Sequence, residues 1–431
     1  MGKISNYLEM IEDIQNRTPQ KEAVCTGNSS LTYRELFLLV KEKQKKWKPS
    51  AKKQLYFIQK EQALDQLTEF LTCQGMGYVP VILPKDTASD HRDALVQKLS
   101  AETKIPEEAC MAVMTSGTSG ENKLLFRTFE SWYNYFSIQN EVFHITSESR
   151  LFMQGSLAFT GNMNLYMAQL SAGATILSED RFDPRLWIKE IKQWRADGIY
   201  LIPTKLHALY QALKHEDLAP IEEIETILSG SQSLGKKDAL KLKTFFPKAE
   251  ITLYYGASEL SYVTYIRDYE MNEDKTRIGH PFPQVDVKLK EGRLLVNTDF
   301  GVIGAGKEAS AGDYAHQDEE GYFCFDGRKD DICNINGRKI SAVYVEQTIL
   351  NLGIAAEAAV KPIEKNGREY LAAWVVLKDK RLSLEPQKIR LMLKKSLREE
   401  EIPRQIFFLD ALPVNESGKV LKRALQTADA Q

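Results

Sequence analysis

Short apolar runs alternate with longer amphipathic segments along the chain up to about residue 285. Runs such as Gln54–Ile58 and Tyr78–Ile82 are brief and dominated by aliphatic and aromatic residues, which is typical of buried strands. Residues 65–73 and 185–194 instead carry apolar side chains at helical spacing. Strand and helix patterns in alternation predict an α/β fold with largely parallel sheets.

The pattern changes beyond about residue 285, where short strands and turns dominate. Helical patterns return at residues 343–351 and 386–397, separated by a strand pattern near 372–377. This order is typical of a separate small α+β domain. We predict a large N-terminal domain at residues 1–327, with stacked mixed and parallel sheets flanked by helices, and a small α+β domain at residues 328–431.

A loop rich in small hydroxylated residues, MTSGTSGENK, occupies residues 114–123 after a predicted strand. Backbone N–H groups and hydroxyls in such a loop can bind an anionic oxygen, and a lysine adds a point charge. From this stretch alone, a phosphate-binding loop and a flexible surface turn are equally open. The loop is not a Walker motif, because that motif requires Gly-Lys-Ser/Thr, whereas Lys123 follows Asn122.

Composition and charge narrow the possible functions. The 57 basic and 59 acidic residues nearly cancel, so the basic surface expected of a nucleic-acid-binding protein is missing from the overall charge. The five cysteines form no CxxC pair, which favours reduced thiols and a cytoplasmic location over disulfides or a structural zinc site. The longest uncharged run, residues 151–178, contains several amide side chains and makes a poor membrane span.

The loop resembles the signature Ser/Thr-Ser-Gly-Thr-Thr-Gly-x-Pro-Lys of the adenylate-forming superfamily, with Ser119 in place of Thr and Asn122 in place of Pro. Six more stretches match that family in order, at residues 31–36, 255–259, 311–313, 327–331, 336–340 and 413–419. The chain is therefore identified as a member, similar to the acyl- and aryl-CoA synthetases. Residues 203–206 and 414–419 resemble the succinylbenzoate-CoA ligase branch.

The resemblance implies a reaction in two halves. A carboxylate attacks the α-phosphate of ATP to give an acyl-adenylate and pyrophosphate, and the thiol of coenzyme A then takes the acyl group. ATP, Mg²⁺ and coenzyme A are the expected cofactor and cosubstrates. Transfer to the phosphopantetheine arm of an acyl carrier protein is the alternative acceptor. A non-catalytic nucleotide- or acyl-binding protein is a further alternative, which the presence of the family's charged positions disfavours.

The resemblance also implies a role for each matching residue in ATP binding. Tyr255 would stack on adenine beside Gly256, Ser258 would donate to phosphate, and Glu259 would hold Mg²⁺, which prefers carboxylate oxygen. Asp313 would accept both ribose hydroxyls, as suits an acceptor-only side chain. The β- and γ-phosphates would be bound by the loop residues Thr115, Ser116, Gly117, Thr118, Ser119, Gly120 and Lys123.

The closing motifs imply a mobile C-terminal domain. Asp330 would be its hinge, and Arg328 would reach the ribose or phosphates, with a surface arginine at the hinge as the alternative. Lys419 would bridge the substrate carboxylate and the α-phosphate. Gly337 would border the coenzyme A tunnel, or merely serve a turn with positive φ.

The acyl pocket is expected near Phe159, Gly161, Ser229 and Gly230, although Phe159 could equally be a core residue. Amino-acid-activating members place an aspartate beside this point, and residues 151–178 contain no acidic side chain. The resemblance therefore implies a small-molecule carboxylic acid that is neutral, either aliphatic or aromatic, as the substrate.

Overall fold

The computed structural model describes residues 4–84, 89–116, 122–273, 275–328, 331–335, 338–365, 368–379, 384–413 and 420–426. It divides into two compact units. The first comprises residues 1–270, 279–287 and 296–309, and the second comprises residues 271–278, 288–295 and 310–431. The predicted boundary between residues 327 and 328 stays a prediction.

The helices and strands follow the alternation expected from the sequence. The helices are α1 (Tyr7–Arg17), α2 (Tyr33–Lys45), α3 (Ala63–Cys73), α4 (Ser89–Glu102), α5 (Glu130–Val142), α6 (Thr160–Ser171), α7 (Pro184–Gln193), α8 (Pro203–His215), α9 (Lys236–Lys243), α10 (Ala342–Asn351) and α11 (Pro386–Leu393). The strands are β1 (Glu22–Thr26), β2 (Ser29–Thr32), β3 (Gln54–Ile58), β4 (Tyr78–Ile82), β5 (Met111–Ser116), β6 (Asn122–Arg127), β7 (Arg150–Gln154), β8 (Thr175–Glu179), β9 (Gly198–Tyr200), β10 (Thr226–Gly230), β11 (Glu250–Ala257), β12 (Ser261–Arg267), β13 (Arg277–Pro281), β14 (Asp286–Lys290), β15 (Arg293–Asn297), β16 (Asp313–Gln317), β17 (Phe323–Arg328), β18 (Ile332–Ile335), β19 (Arg338–Ser341), β20 (Ala355–Lys365), β21 (Arg368–Leu377) and β22 (Gln405–Phe408).

Two sheets organise the first unit. In the larger sheet the neighbours run β12-β11-β10-β9-β7-β8-β1-β2, with parallel pairing from β11 to β1 and antiparallel strands β12 and β2 beyond them. The smaller sheet has the order β3-β4-β5-β6, parallel except for the last pair. The predicted α/β fold with stacked mixed and parallel sheets is confirmed.

Local sequence signals explain where helices begin. Thr32 and Glu35 form a capping box at α2, in which the Thr32 hydroxyl accepts from the Glu35 N–H at 3.2 Å and the Glu35 carboxylate accepts from the Thr32 N–H at 2.8 Å. Asp183 accepts from two N–H groups at the start of α7, and Pro184 occupies its first turn. The motif at residues 31–36 is thus a helix entry.

The residues on either side of the glycine-rich loop form two paired antiparallel strands. Strand β5 extends to Ser116 and β6 begins at Asn122, with Met111 paired to Arg127 and Ser116 paired to Asn122. The sequence pattern predicted the strand before the loop but not the second strand, because the run 124–126 is too short for its periodicity to distinguish strand from helix.

The second unit carries the smaller α+β region. Strands β20, β21 and β22 form a sheet, with an antiparallel pair followed by a parallel pair. Helices α10 and α11 contribute Val345, Ile349, Ile389 and Leu393 to a core that includes Val375 of β21. The predicted helices are confirmed, and α11 ends at Leu393 rather than at residue 397.

A search of the described residues found no helix that combines the length and apolar character needed to cross a bilayer.

Candidate functional site

A cavity of about 110 Å³ lies in the first unit, beside the turn that joins β11 to β12. Such a position, beyond the carboxyl ends of parallel strands, is where ligands bind in α/β sheets. Four of the residues predicted from the sequence line it, namely Phe159, Gly161, Gly256 and Ser258. The remaining lining residues are Arg127, Trp132, Thr160, Asn164, Ser231, Tyr254, Ala257, Ser261 and Tyr262.

Phe159 precedes α6, whose first turn brings Thr160 and Gly161 to the cavity. The Phe159 side chain is 41% exposed, so core packing does not describe its environment. Gly161 is required by close packing, because a Cβ there would lie 2.8 Å from the hydroxyls of both Tyr200 and Tyr254.

Two buried tyrosines close the cavity on that side. The hydroxyls of Tyr200 and Tyr254 lie 2.7 Å apart, and Tyr254 lines the cavity. Burial raises the pKa of Tyr254 to about 12 and that of Tyr200 well above its ordinary value, so both hydroxyls stay neutral. The cavity therefore ends in an uncharged hydrogen-bonded pair.

Ser229 and Gly230, also predicted for the acyl pocket, are not among the residues that line the cavity. The Ser229 hydroxyl is buried and donates to the carbonyl of Leu201 at 2.8 Å. A Cβ on Gly230 would lie 2.4 Å from the Tyr254 ring, so this glycine makes room for the tyrosine. Ser231, one residue further along, reaches the cavity.

The turn after β11 has an unusual backbone. The register of β11 against β12 shifts between Tyr255 and Gly256, as at a β-bulge. A Cβ on Gly256 would lie 2.3 Å from the carbonyl oxygen of Ser261, and Ser261 itself has a φ of 65°. The glycine of the Tyr-Gly-Ala-Ser-Glu motif is thus explained by close backbone approach.

The same turn presents polar groups to the cavity. The hydroxyls of Ser258 and Thr160 lie 3.1 Å apart, so a side chain from α6 meets one from the turn. Alternation along β11 places Tyr254, rather than Tyr255, on the cavity. Tyr255 is half-buried beside it.

Glu259 follows in the turn and is half-buried. Its backbone carbonyl accepts from the N–H of Val302 at 2.9 Å. Among the residues described, no three metal-binding side chains cluster together. The predicted Mg²⁺ role of Glu259 stays a prediction; a single carboxylate that leaves the other positions to water and substrate phosphates is a common way of holding this ion.

Arg127 is a buried charge that the sequence interpretation missed. Its side chain is fully buried, and its guanidinium donates to the carbonyl oxygens of Ser258 at 2.7 Å and Phe300 at 2.9 Å. Burial lowers its pKa to about 10, so the group stays cationic at neutral pH. The available signal was an arginine that ends the apolar run 124–126 directly after the loop.

The second unit brings together two other predicted residues. Asp313 begins β16 and pairs in register with Arg328 at the end of β17. The Arg328 Nε lies 3.3 Å from the Asp313 carboxylate, which is buried, while the Arg328 side chain is about half exposed. The carboxylate is thus held beside a cation.

The structure describes several of the predicted site residues only in part or not at all. Thr115 and Ser116 end β5, and Thr115 pairs in register with Lys123, whose side chain is exposed. The other positions lie outside the described residues, and these are Gly117, Thr118, Ser119, Gly120, Asp330, Gly337 and Lys419. Their roles stay predictions.

Comparison with protein-family models gives two matches. Residues 50–305 match a model described as AMP-binding enzyme, and residues 344–419 match one described as AMP-binding enzyme C-terminal domain. Together these segments include the cavity, the β11–β12 turn and the closing lysine motif.

Two bacterial relatives match this chain over most of its length. A Staphylococcus epidermidis protein with the provisional name long chain fatty acid-CoA ligase VraA is 22% identical, covering 99% of this chain and 98% of its own. An uncharacterised acyl-CoA ligase of Bacillus subtilis, YhfT, is 23% identical over 88% of this chain and 80% of its own.

A solved structure shares the fold. The O-succinylbenzoate coenzyme A synthetase of Bacillus subtilis, in complex with ATP and magnesium ion, superposes with a TM-score of 0.83 at 19% identity. The match covers 98% of this chain and 99% of that one.

Proposed function

The chain belongs to the AMP-binding enzyme family, within the adenylate-forming acyl- and aryl-CoA synthetase type, and from that premise we propose that it is an AMP-forming acid–thiol ligase. It activates a small carboxylic acid with ATP and passes the acyl group to coenzyme A. The observation that carries the proposal is the cavity lined by Gly256 and Ser258, in the turn that continues to Glu259.

In the first step the acid's carboxylate attacks the α-phosphate of ATP, and pyrophosphate leaves. Mg²⁺ held by Glu259 would neutralise charge on the phosphates. Ser258 and the loop at residues 115–123 would donate to the phosphate oxygens, and Lys419 would offset the charge of the two anions that must approach each other. Asp313, beside Arg328, would accept from the ribose hydroxyls.

The cavity supports a compact neutral acid. Its described lining contains hydroxyls, an amide, aromatic rings and the guanidinium of Arg127 but no acidic side chain, so a buried ammonium would be left without a partner. Its volume of about 110 Å³ is of the same order as the roughly 150 Å³ of an engineered cavity that holds benzene, so one short chain or one ring would fill it. We therefore infer a short aliphatic or small aromatic acid, in contrast to the long chains in the name of the staphylococcal relative.

Replacing Tyr254 tests the inferred size. Tyr254→Ala removes the ring that closes the cavity, and we expect activity to shift from benzoate and butanoate towards octanoate. Discrimination by one methylene is worth roughly 10-fold or more in an apolar pocket, so the shift is measurable as a ratio of kcat/KM values. An unchanged ratio would place the acyl group elsewhere.

The reaction itself is tested by product analysis with benzoate and butanoate. We expect AMP, pyrophosphate and an acyl-CoA in equal amounts, detected by chromatography. Coenzyme A and a carrier protein present the same reactive phosphopantetheine arm, so the sequence does not distinguish them as acceptors. The same assay with a carrier protein bearing phosphopantetheine in place of coenzyme A does. Formation of ADP, or no consumption of ATP with any acid, would overturn the proposal.

The two half-reactions can be separated with variants at positions known from the sequence. Lys419→Ala should block acyl-adenylate formation but still convert supplied acyl-adenylate to thioester. Gly337→Leu should do the reverse, and retain pyrophosphate exchange. Loss of both half-reactions together in Gly337→Leu would indicate that this glycine serves only the local fold.

A further inference from the structure

The buried guanidinium of Arg127 has no place in the reaction described so far. We propose that Arg127 is a positioning residue that holds the β11–β12 turn, and with it Ser258 and Glu259, in the arrangement that binds Mg²⁺ and ATP. This inference rests on the proposed function of that turn.

The contacts of Arg127 join two segments that are far apart in sequence. One nitrogen donates to the carbonyl of Ser258 at 2.7 Å, and the other donates to the carbonyl of Phe300 at 2.9 Å. Hydrogen bonds from an ionised donor are stronger than those between neutral groups. The planar fork of arginine can serve both oxygens at once, whereas lysine offers a single point of charge.

The turn needs such support because its backbone is unusual. Ser261 has a φ of 65°, a conformation that non-glycine residues seldom adopt. The Ser261 hydroxyl donates to the same Phe300 carbonyl at 2.8 Å, and the Trp132 indole N–H donates to that hydroxyl at 3.2 Å. Arg127 and Ser261 thus meet on one oxygen, which ties the turn to residue 300 from two sides.

The rest of the turn is held from other directions. The Val302 N–H donates to the Glu259 carbonyl, and the Thr160 hydroxyl lies 3.1 Å from that of Ser258. Arg127 fixes the Ser258 backbone between these two contacts. Without it, the Ser258 hydroxyl and the Glu259 carboxylate would lose a common anchor.

The charge of Arg127 suits a role beside an anionic ligand. In the part of the chain that the structure describes, its hydrogen bonds go to carbonyls and a hydroxyl, and its guanidinium lies 4.9 Å from the Trp132 ring centroid. A cation buried without a salt bridge is costly to the fold. A buried charge kept at this cost is consistent with a contribution of Arg127 to the site.

Arg267 provides a matched control in the same unit. It is also buried, but it forms a salt bridge with Glu250 at 2.7 Å and donates to the Val142 carbonyl at 2.6 Å. It does not line the cavity. Replacing Arg267 should lower the stability of the protein without a specific effect on nucleotide binding.

The experiment compares Arg127→Met, Arg127→Lys and Arg267→Met with the wild type. Each protein is assayed for thermal stability, for the Kd of ATP by calorimetry across a range of Mg²⁺ concentrations, and for ATP–pyrophosphate exchange with benzoate or butanoate. We expect Arg127→Met to lose exchange by about 10²-fold, the cost of losing one preorganised contact, and to need more Mg²⁺ for ATP binding. Arg127→Lys should recover part of both, and Arg267→Met should lower the Tm alone.

Wild-type Mg²⁺ dependence in Arg127→Met would overturn the proposal. So would equal losses of exchange and binding in Arg127→Met and Arg267→Met at equal losses of stability. If Arg127→Met fails to fold, an unchanged Mg²⁺ dependence in the folded Arg127→Lys variant would overturn it. Failure of the proposed function is distinct, because it would appear as absent exchange in the wild type while ATP binding still depended on Arg127.

Discussion

Arg127 and Arg267 are two buried arginines of the same unit whose surroundings differ. Arg267 is neutralised inside the protein by Glu250 at 2.7 Å, whereas Arg127 donates to the carbonyls of Ser258 and Phe300 and lines a cavity. Two arginines that are buried to a similar extent can therefore have different roles. A charge balanced by the protein supports the fold, and a charge held at a cavity wall can support ligand chemistry.

The carboxylates of Glu179 and Glu190 extend this comparison. Both are buried, and burial together with the neighbouring charge of Glu179 raises the pKa of Glu190 to about 8. Neither lines the cavity beside the β11–β12 turn. A strongly shifted pKa can thus arise from burial and a neighbouring charge away from the cavity, and it identifies a functional group only together with a cavity and a motif.

The largest expected effect separates two glutamates. Glu259→Gln, at the cavity turn, should reduce pyrophosphate exchange by about 10²-fold or more, because the amide cannot replace a metal-binding carboxylate. Glu250→Gln weakens the salt bridge with Arg267 and should leave exchange within about 2-fold, as expected of a contact remote from the reaction. Similar exchange losses in the two variants would break the comparison.

The next largest effect is on stability. Arg267→Met removes a cation from a pair with a half-buried carboxylate and should lower the free energy of unfolding by about 1–3 kcal/mol. Denaturant titration measures this loss. The KM values for ATP and acid should not change, and a large rise in either would show that Arg267 acts on the site.

A smaller effect is expected at the tyrosine pair. Tyr254→Phe leaves the buried Tyr200 hydroxyl without its partner and should cost about 1 kcal/mol, with a modest rise in the KM for the acid. Tyr166→Phe is its counterpart in the interior, where the Tyr166 hydroxyl donates to Ser178 at 2.6 Å. It should cost a similar amount of stability while leaving that KM unchanged. A changed KM in both variants would argue against a specific role for the cavity wall.

The smallest effect depends on pH. The raised pKa of Glu190 means that its native carboxyl stays protonated up to about pH 8, so its contribution to stability is fully present below the ordinary pKa of 4.5 and is lost as pH rises from there to about 8. The groups that set this value include Glu179, Arg181 and the Gly27 N–H. Glu190→Gln should therefore raise the Tm by about 2 °C at pH 8.5, and the gain should vanish near pH 5. A constant gain at both pH values would exclude this titration as the cause.

Much of the fold could be predicted from the sequence because its signals are local. Strands β3 and β4 match the predicted bounds, since each apolar run is flanked by polar or turn residues. Of the site, Gly256 and Ser258 were predicted from a contiguous motif, and they do lie together on the cavity.

The rest of the site depends on contacts between distant segments. Arg127 reaches carbonyls 131 and 173 residues away along the chain, and a backbone carbonyl leaves no mark in the sequence. The position of Tyr254 on the cavity depends on which face of β11 is turned inward, which two adjacent tyrosines cannot reveal, and the predicted adenine contact of Tyr255 stays a prediction.

The central claim is that the cavity beside the β11–β12 turn binds a neutral carboxylic acid for adenylation. ATP–pyrophosphate exchange with matched acids tests it most directly, using pairs that differ only by an α-amino group, such as butanoate with 2-aminobutanoate and 3-phenylpropanoate with phenylalanine. The account predicts exchange at least about 10²-fold faster with the neutral member of a pair, because an unpaired buried ammonium is costly. Faster exchange with the amino acids, or exchange with none of the acids, would contradict it.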